Sequence, residues 1–236
     1  MMRLDKFLCE LNTGSRSQVK AYVRQGMVTI NGNPATSSDQ KIDELSDEIL
    51  FRGKRLQYQR FVYYMLNKPA GVVSASRDDT QRTVVSLLGK NAREDLFPVG
   101  RLDKDVTGFL LLTNDGELAH RLLSPKRHVD KIYRAVLEHA LTPEDIRSLE
   151  SGLDIGEERP TLPAKVTVLE KEVILLTLRE GKFHQVKRML QAVGNRVTAL
   201  QRIAFGGLCL DPCLQPGEYR ELTGQELDIL RKAPAD

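Results

Sequence analysis

The sequence has few of the residues that build metal centres or disulfide frameworks. Its 236 residues include only three cysteines, Cys9, Cys209 and Cys213. A structural zinc site needs about four ligands, usually supplied as paired cysteine or histidine residues. Because no histidine lies near Cys209 and Cys213, we expect no metal site. The odd number of cysteines favours a reducing compartment.

Long hydrophobic runs, internal repeats and low-complexity segments are also absent from the sequence. No apolar run approaches the roughly 20 residues that a bilayer-spanning helix needs. Asp5 and Glu10 interrupt the charged-then-apolar layout of a secretion signal. We therefore expect a cytoplasmic protein with no membrane association.

The composition is that of a folded globular protein, with 41% hydrophobic and 28% charged residues. A chain of this length can hold one large domain, or a small domain and a medium one. The formal net charge is only +3, but the first thirty residues carry five basic side chains against two acidic ones. This local excess favours a polyanion-binding surface near one end of the chain.

The N-terminal segment has the pattern of two short helices. Apolar residues at helical spacing predict a first helix from Met2 to about Leu11. Ser15 and Gln18 form a capping box that predicts the start of a second helix, and Gly26 is suited to end it.

A hairpin and a linker are predicted to follow these helices. Residues 27–33 form a strand pattern that runs into an Asn-Gly turn, and a second strand pattern lies near 47–51. The polar stretch 53–60 is typical of a linker. We therefore expect a first domain over residues 1–58 and a second over residues 59–236.

Basic residues recur every fourth position along the second helix. Arg16, Lys20 and Arg24 share one face, where like charges repel by roughly a few tenths of a kcal/mol per pair. An anionic partner offsets this repulsion by releasing its own counterions. We interpret this face, together with Arg3 and Lys6, as a nucleic-acid-binding surface. A plain helical cap on a larger domain is the alternative.

The second region mixes strands and helices without strict alternation, which predicts an α+β fold with a largely antiparallel sheet. The predicted strands are 61–66, 109–112, 131–137, 164–168 and 173–178. The predicted helices are 84–88, 117–123, 142–153, 184–193 and a last helix through Leu230.

The stretch from Gly100 to Gly116 carries the strongest candidate for a reactive group. A polar loop with Asp103 and Asp105 runs into an apolar run of a buried strand's length. Loops anchored on buried strands commonly carry reactive side chains. Either aspartate could instead satisfy backbone donors in a turn. The pair could also share acid and base work or hold a metal, but residues two apart on an extended segment point to opposite sides.

Two further candidates are open on pattern alone. Tyr133, on a predicted strand, is typical of a core aromatic residue. His184 could act as a general base, but no Ser or Cys partner is identifiable, and capping the following helix is the simpler role.

Several motifs resemble those of the RsuA-type group of RNA pseudouridine synthases. Residues 100–116 contain G-R-L-D, T-G, a leucine run and T-N-D-G, as in the signature of that group. Residues 66–71 resemble its L-N-K-P-x-G entry motif, and 180–190, with H-Q-V-K, resemble its third motif. Residues 3–6 and 15–32 resemble the small RNA-binding domain first known from ribosomal protein S-four.

The resemblance implies roles for individual residues. Asp103 falls on the catalytic aspartate, Tyr133 on the tyrosine that stacks on the target uracil, and Lys187 on the basic residue that faces the aspartate. Many relatives carry arginine there, and lysine keeps the charge but lacks the bidentate fork. Arg101 is implied to fill the stack vacated by the flipped base. We also expect RNA contacts from Lys68, His184 and Arg188.

The implied reaction is isomerisation of a uridine within RNA, after the base has been flipped out of its stack. It involves no redox change and no group transfer, so no cofactor is expected. Asp103 would act while ionised, kept charged by Lys187, either adding to the sugar or base or taking a proton from the ribose.

The implied substrate is ribosomal RNA. Within that group, the compact C-terminus without a long basic extension is closer to the enzymes that modify small-subunit (16S) RNA, with large-subunit (23S) RNA as the alternative. We also expect a monomer that acts on this RNA within a small-subunit precursor particle. An RNA-binding ribosome-assembly factor without catalytic activity is the competing hypothesis from another class.

Overall fold

The computed structural model describes residues 1–56 and 58–233, and the chain folds into two compact units. Unit 1 comprises Met1–Phe61 and Gly89–Leu96, and unit 2 comprises Val62–Leu88 and the chain from Phe97 onward. Gln57 of the predicted linker lies outside the described residues. No helix in the described ranges is long and apolar enough to cross a membrane.

Unit 1 combines two helices with short antiparallel strands. Its elements are β1 (Met2–Arg3), α1 (Leu4–Glu10), α2 (Arg16–Arg24), β2 (Val28–Ile30), β3 (Asn33–Pro34), β4 (Lys41–Ile42), β5 (Ile49–Phe51) and β6 (Lys54–Arg55). Strand β1 pairs with β4, and the other four form a sheet in the order β3-β2-β5-β6. The linker prediction is wrong where β6 lies, because this strand pairs with β5 in a hairpin.

The local signals predicted for α2 are confirmed. The Ser15 hydroxyl accepts a hydrogen bond from the Gln18 backbone N–H, and the Gln18 side chain accepts one from the Ser15 N–H. Gly26 adopts a φ of +65°, in the left-handed region that favours glycine. The inner face of α2 buries Val19 and Val23 against the apolar face of α1.

Unit 2 is built on a nine-stranded sheet. Its strands are β7 (Tyr63–Lys68), β8 (Phe97–Pro98), β9 (Thr107–Thr113), β10 (Lys131–Leu137), β11 (Lys165–Glu170), β12 (Val173–Leu178), β13 (Val197–Phe205), β14 (Leu208–Cys209) and β15 (Tyr219–Glu221). Its helices are α3 (Gly116–Leu123), α4 (Pro143–Ser151), α5 (Gln185–Ala192) and α6 (Gly224–Lys232). The predicted helix at 84–88 is instead the start of a 3₁₀ segment, Val85–Asn91, and a second 3₁₀ turn spans Pro125–Arg127.

The sheet runs in the order β11-β12-β10-β13-β9-β7-β15, with β8 also paired to β9 and β14 to β13. Strands β9 and β13 are parallel, and the other pairs are antiparallel. The expectation of an α+β fold with a largely antiparallel sheet is confirmed.

Strand β13 lies near the middle of this sheet and has no counterpart among the predicted strands. Its buried positions include Leu200, Arg202 and Ala204. An arginine at an inward position breaks the alternation of apolar and polar residues by which strands are recognised.

Gly108 allows the parallel contact between β9 and β13. It pairs with Arg202 and has a φ of +103°. A Cβ atom at this position would lie 2.3 Å from the Arg202 carbonyl oxygen, so the two backbones approach as only glycine permits.

Candidate active site

Unit 2 contains a cavity of about 900 Å³ beside the Asp103 loop. Five of the residues proposed from sequence line it: Arg101, Asp103, Tyr133, His184 and Lys187. They come from the loop before β9, from β10 and from the start of α5. The structure thus brings together residues that are far apart in sequence.

The Asp103 carboxylate faces two basic side chains. Its Oδ1 lies 3.5 Å from His184 Nε2, and its Oδ2 lies 3.3 Å from Lys187 Nζ. The Asp103 side chain is 27% exposed, so it remains accessible from the cavity. A partly desolvated carboxylate beside an ammonium group is a suitable arrangement for nucleophilic or general-base chemistry.

Asp105 also contacts Lys187, and the prediction that the two aspartates point to opposite sides is wrong. Lys187 Nζ donates to both Asp105 oxygens, at 2.7 and 2.8 Å. The segment is a turn rather than extended, because the Val106 N–H donates to the Asp103 carbonyl. The hydrogen bond from Lys187 lowers the pKa of Asp105.

Lys187 is held in its charged form by these two carboxylates. Burial by itself lowers the pKa of Lys187, but the hydrogen bond to Asp105 and the charges of Asp103 and Asp105 raise it above its ordinary value. The cation beside Asp103 therefore persists over a wide pH range.

His184 occupies the N-cap position of α5, but its side chain makes no capping hydrogen bond. Its backbone is left-handed, with a φ of +49°. The imidazole faces Asp103 and stacks on the Phe183 ring, with the ring centroids 3.8 Å apart. The simpler role predicted for His184, capping α5, is therefore wrong for its side chain.

Lys68 is fully buried, with 0% of its surface exposed. Its Nζ donates to the carbonyl oxygens of Asp103 and Val106, at 3.0 and 2.8 Å, and also to those of Pro69 and Lys104. Burial lowers its pKa to about 8, although the charges of Asp105 and Asp103 oppose this shift. The expectation that Lys68 contacts RNA is not met, because the ammonium group is enclosed beneath the Asp103 loop.

Further hydrogen bonds fix the same loop. The Ser74 hydroxyl donates to the Leu102 carbonyl at 2.7 Å and accepts from the Leu102 N–H at 3.0 Å. The Gly71 N–H donates to the Lys104 carbonyl at 2.7 Å. The entry motif thus positions the backbone on which Asp103 is carried.

Arg188 points away from the cavity that its neighbour Lys187 lines. Its guanidinium pairs with Glu157 at 2.5 Å and donates to the carbonyl oxygens of Phe183 and Ile155. These protein partners hold the guanidinium, and the RNA contact expected of Arg188 stays a prediction.

The basic face proposed in unit 1 divides into two groups. Arg16, Lys20 and Arg24 are exposed, and none of them lies within ion-pairing distance of a carboxylate in the described part of the chain. Arg3 is instead paired with Asp5 at 2.7 Å, and Lys6 lies 3.6 Å from Glu10. The α2 residues are therefore the more available cations.

No group of three or more His, Cys, Asp or Glu side chains in residues 1–56 and 58–233 is arranged to hold a metal ion. Cys9, Cys209 and Cys213 are free thiols.

Residues 62–192 match the model of the RNA pseudouridylate synthase family, and residues 2–49 match that of the S4 domain. The chain belongs to the RNA pseudouridylate synthase family. It is therefore an isomerase that acts on RNA, with an N-terminal S4 domain, and the resemblances noted in the sequence are confirmed.

Similar proteins span nearly the whole chain. An uncharacterized RNA pseudouridine synthase, YtzG of Bacillus subtilis (strain 168), is 50% identical, with 99% of this chain and 100% of the relative covered. Ribosomal small subunit pseudouridine synthase A of Haemophilus influenzae is 41% identical, with 98% and 100% covered. Ribosomal large subunit pseudouridine synthase B of Bacillus subtilis is 39% identical, with 98% and 96% covered.

A solved structure, the crystal structure of a pseudouridylate synthase, has the same overall fold. It is 39% identical to this chain, with a TM-score of 0.70, and 98% of this chain and 100% of the solved chain are covered.

Lys131, Arg202 and Phe183 are among the cavity residues that the sequence did not single out. Lys131 and Arg202 line the inner part of the cavity, and Phe183 lies at its edge with 71% of its surface exposed. No local signal in the sequence marks them as cavity residues. From residue type alone, a lysine on a strand is expected to be exposed and a phenylalanine to be buried.

Proposed function

We propose that this synthase converts a uridine of ribosomal RNA to pseudouridine, with Asp103 as the catalytic residue. The observation that supports this most directly is the Asp103 carboxylate, 3.3 Å from Lys187 Nζ in a cavity also lined by Tyr133. The cavity, at about 900 Å³, has room for a nucleotide.

Substrate binding requires the target nucleotide to leave the RNA stack, which costs a few kcal/mol. In our proposal Tyr133 recovers part of this by stacking on the uracil, worth about 1–3 kcal/mol. Arg101, exposed at the cavity, takes the place that the base vacates in the RNA. His184 contacts the same nucleotide from the α5 side.

The reaction exchanges one bond between ribose and base for another. The bond from C1′ to N1 breaks, the uracil turns within the cavity, and C1′ forms a bond to C5. The C5 proton is lost and N1 gains one, so that the product is an isomer of the substrate. Asp103 starts this sequence as a carboxylate, with the Lys187 ammonium group 3.3 Å from its Oδ2.

The small-subunit 16S RNA is the substrate we propose, within a precursor particle. Several relatives that match this chain over nearly its full length are named as small-subunit enzymes. One of them, from Vibrio cholerae, is 39% identical. Because a relative named as a large-subunit enzyme is also 39% identical, 23S RNA is the alternative to be tested beside it. A monomer in the cytoplasm is the form we propose to act on this substrate.

The experiment is to incubate the protein with 16S and 23S transcripts and with small-subunit precursor particles, and then to map pseudouridine. Product from the wild type and from an exposed control, Asp228→Asn, is expected, with no product from Asp103→Asn. RNA binding by Asp103→Asn should equal that of the wild type. Absence of product on all these substrates, with RNA binding retained, would favour the assembly factor.

A further inference from the structure

Two buried cations, Lys131 and Arg202, line the inner part of the cavity. Lys131 is 9% exposed and Arg202 is 2% exposed. Neither lies within 4.0 Å of a carboxylate among the residues that the structure describes. Lysine and arginine are almost never buried to this extent without a charged partner, because removing an ion from water is unfavourable.

The protein compensates these two charges only in part. Lys131 Nζ donates to the Val129 carbonyl and Arg202 Nε to the Phe109 carbonyl, both at 2.8 Å. Both cations also lie near the Phe205 ring, with Nζ 5.7 Å and Cζ 5.1 Å from its centroid. Arg202 Nη2 is buried and has no hydrogen-bond partner, so its two N–H groups are unused.

Strand register places both cations beside Tyr133. On β10, Lys131 lies two residues before Tyr133 and therefore on the same face of the sheet. Across the antiparallel pair, Ile132 aligns with Ala204 and Tyr133 with Arg202, so Ile203 is an extra residue in β13. This bulge turns Arg202 onto the face of Tyr133, and bulges beside active sites commonly re-aim a side chain in this way.

We propose that Lys131 and Arg202 form a subsite for the carbonyl oxygens of the target uracil and stabilise the negative charge that the base carries once it is detached. The proposal rests on the proposed function, because it concerns the base that Tyr133 stacks on. Carbonyl oxygens are hydrogen-bond acceptors suited to the unused Arg202 donors and to a lysine with one carbonyl partner.

The charge follows from the chemistry of the step. When the bond from C1′ to N1 breaks, its electron pair remains on the ring and is shared by N1 and the two carbonyl oxygens. The ribose carbon is left electron-deficient, beside Asp103. When C5 then bonds to C1′, an electron pair of the ring forms the new bond, and the ring becomes neutral as C5 loses its proton and N1 gains one. Fixed cations act most strongly on the species that carries the charge, which accelerates the reaction.

A base fits this subsite better than a phosphate does. A phosphate keeps a full charge and much of its hydration, and the exposed Arg101 and Lys104 at the cavity offer it accessible cations. Lys131 and Arg202 are buried, unlike these two side chains, and they lie on the face that a stacked ring would share with Tyr133. Burial lowers the pKa of Lys131 to about 8, with the charge of Arg202 as the next cause, so Lys131 is mainly cationic at neutral pH.

The first test uses Lys131→Met and Arg202→Met, with Lys171→Met in the exposed turn between β11 and β12 as the control. We expect each cavity variant to lower the single-turnover rate on the mapped RNA at least tenfold and to leave its Kd for RNA within about threefold of the control. Thermal unfolding verifies folding. Should Arg202→Met fail to fold, Lys131→Met and Arg202→Lys decide the test.

The second test does not depend on turnover. Binding of uridine 5′-monophosphate and of ribose 5-phosphate is measured by ligand-observed NMR for the same proteins. We expect the cavity variants to lose at least threefold in affinity for the nucleotide and nothing for the sugar phosphate. Equal losses for both ligands would identify a phosphate subsite and overturn the proposal.

The proposal would also be overturned if both cavity variants had the same rates and affinities as the control. The two cations would then have only a structural role. If the wild type modifies no RNA, the proposed function fails. The comparison of the two small ligands still decides whether this subsite binds the base.

Discussion

Lys187 shares one ammonium group between two aspartates, with Nζ 2.7 Å from Asp105 Oδ1 and 3.3 Å from Asp103 Oδ2. The shorter contact is to the exposed aspartate and the longer one to the aspartate inside the cavity. Lys187 thus links the Asp103 loop before β9 to helix α5.

The two contacts of Lys187 should differ in importance. Asp105→Asn removes an exposed ion pair worth less than about 1 kcal/mol, so we expect a single-turnover rate within about threefold of wild type. Lys187→Gln leaves Asp103 without its cation and should lower the rate on the order of 100-fold, whereas Lys187→Arg keeps the charge and should lose less. Equal losses in Asp105→Asn and Lys187→Gln would make Asp105 part of the catalytic machinery.

Replacing Lys68 should loosen the loop that carries Asp103. Lys68→Met removes the hydrogen bonds to four carbonyl groups, and we expect a loss of about 1–3 kcal/mol in the free energy of unfolding, with at least tenfold lower activity. Denaturant unfolding and single-turnover kinetics measure the two effects. Lys104→Met, on the exposed side of the same loop, is the control for stability. An unchanged unfolding midpoint in Lys68→Met would argue that these hydrogen bonds do not stabilise the loop.

A side chain at position 108 should disrupt the contact of β9 with β13. In Gly108→Ala the new Cβ would approach the Arg202 carbonyl at 2.3 Å, and φ is +103°, so we expect a loss of roughly 2–4 kcal/mol. Gly116→Ala is the matched control, because nothing lies within 4 Å of a Cβ there. Urea unfolding of both variants checks this, and equal stabilities would contradict the close approach.

Charge reversal on α2 should weaken RNA binding in a salt-dependent manner. We expect Lys20→Glu and Arg24→Glu each to reduce the slope of log K against log salt by about one for each lost phosphate contact. Lys54→Glu, on β6, is the control and should leave the slope nearly unchanged. A slope in Lys20→Glu and Arg24→Glu equal to that of the wild type would remove α2 from the RNA interface.

Glu226 should contribute stability that is lost in acid. Its carboxylate accepts hydrogen bonds from Arg220 at 2.7 and 2.8 Å, and this contact lowers its pKa from 4.5 to about 2. Since the folded state holds the carboxylate charged, the contribution is complete above about pH 4.5 and falls away toward about pH 2. We expect it to be on the order of 2 kcal/mol.

The measurement is the free energy of unfolding of wild type and Glu226→Gln between pH 2 and 7. The difference between them should be largest at neutral pH and shrink below about pH 4.5. The exposed Glu221→Gln should show no such trend. A difference that is constant with pH would rule out ionisation of Glu226 as its source.

The sequence by itself determined the elements whose signals are local. The capping box at Ser15 begins α2 as predicted, because a cap needs only its own helix. The apolar run after Asp103 forms β9 because an uninterrupted run of that length can only be buried. The resemblance of the motifs indicated the family and grouped Asp103, Tyr133 and Lys187 in one site. The spacing of these three residues in the sequence does not by itself connect them.

Only the tertiary structure decided where the charged side chains lie. Lys68, Arg188 and Arg202 all look like surface residues in the sequence, yet carbonyl groups and a carboxylate distant along the chain enclose or hold them. Whether a charge can be buried depends on such partners, so no local pattern predicts it. The placement of Asp105 beside Asp103, and of Arg202 opposite Tyr133, likewise follows from a turn and a bulge that the packing of the sheet stabilises.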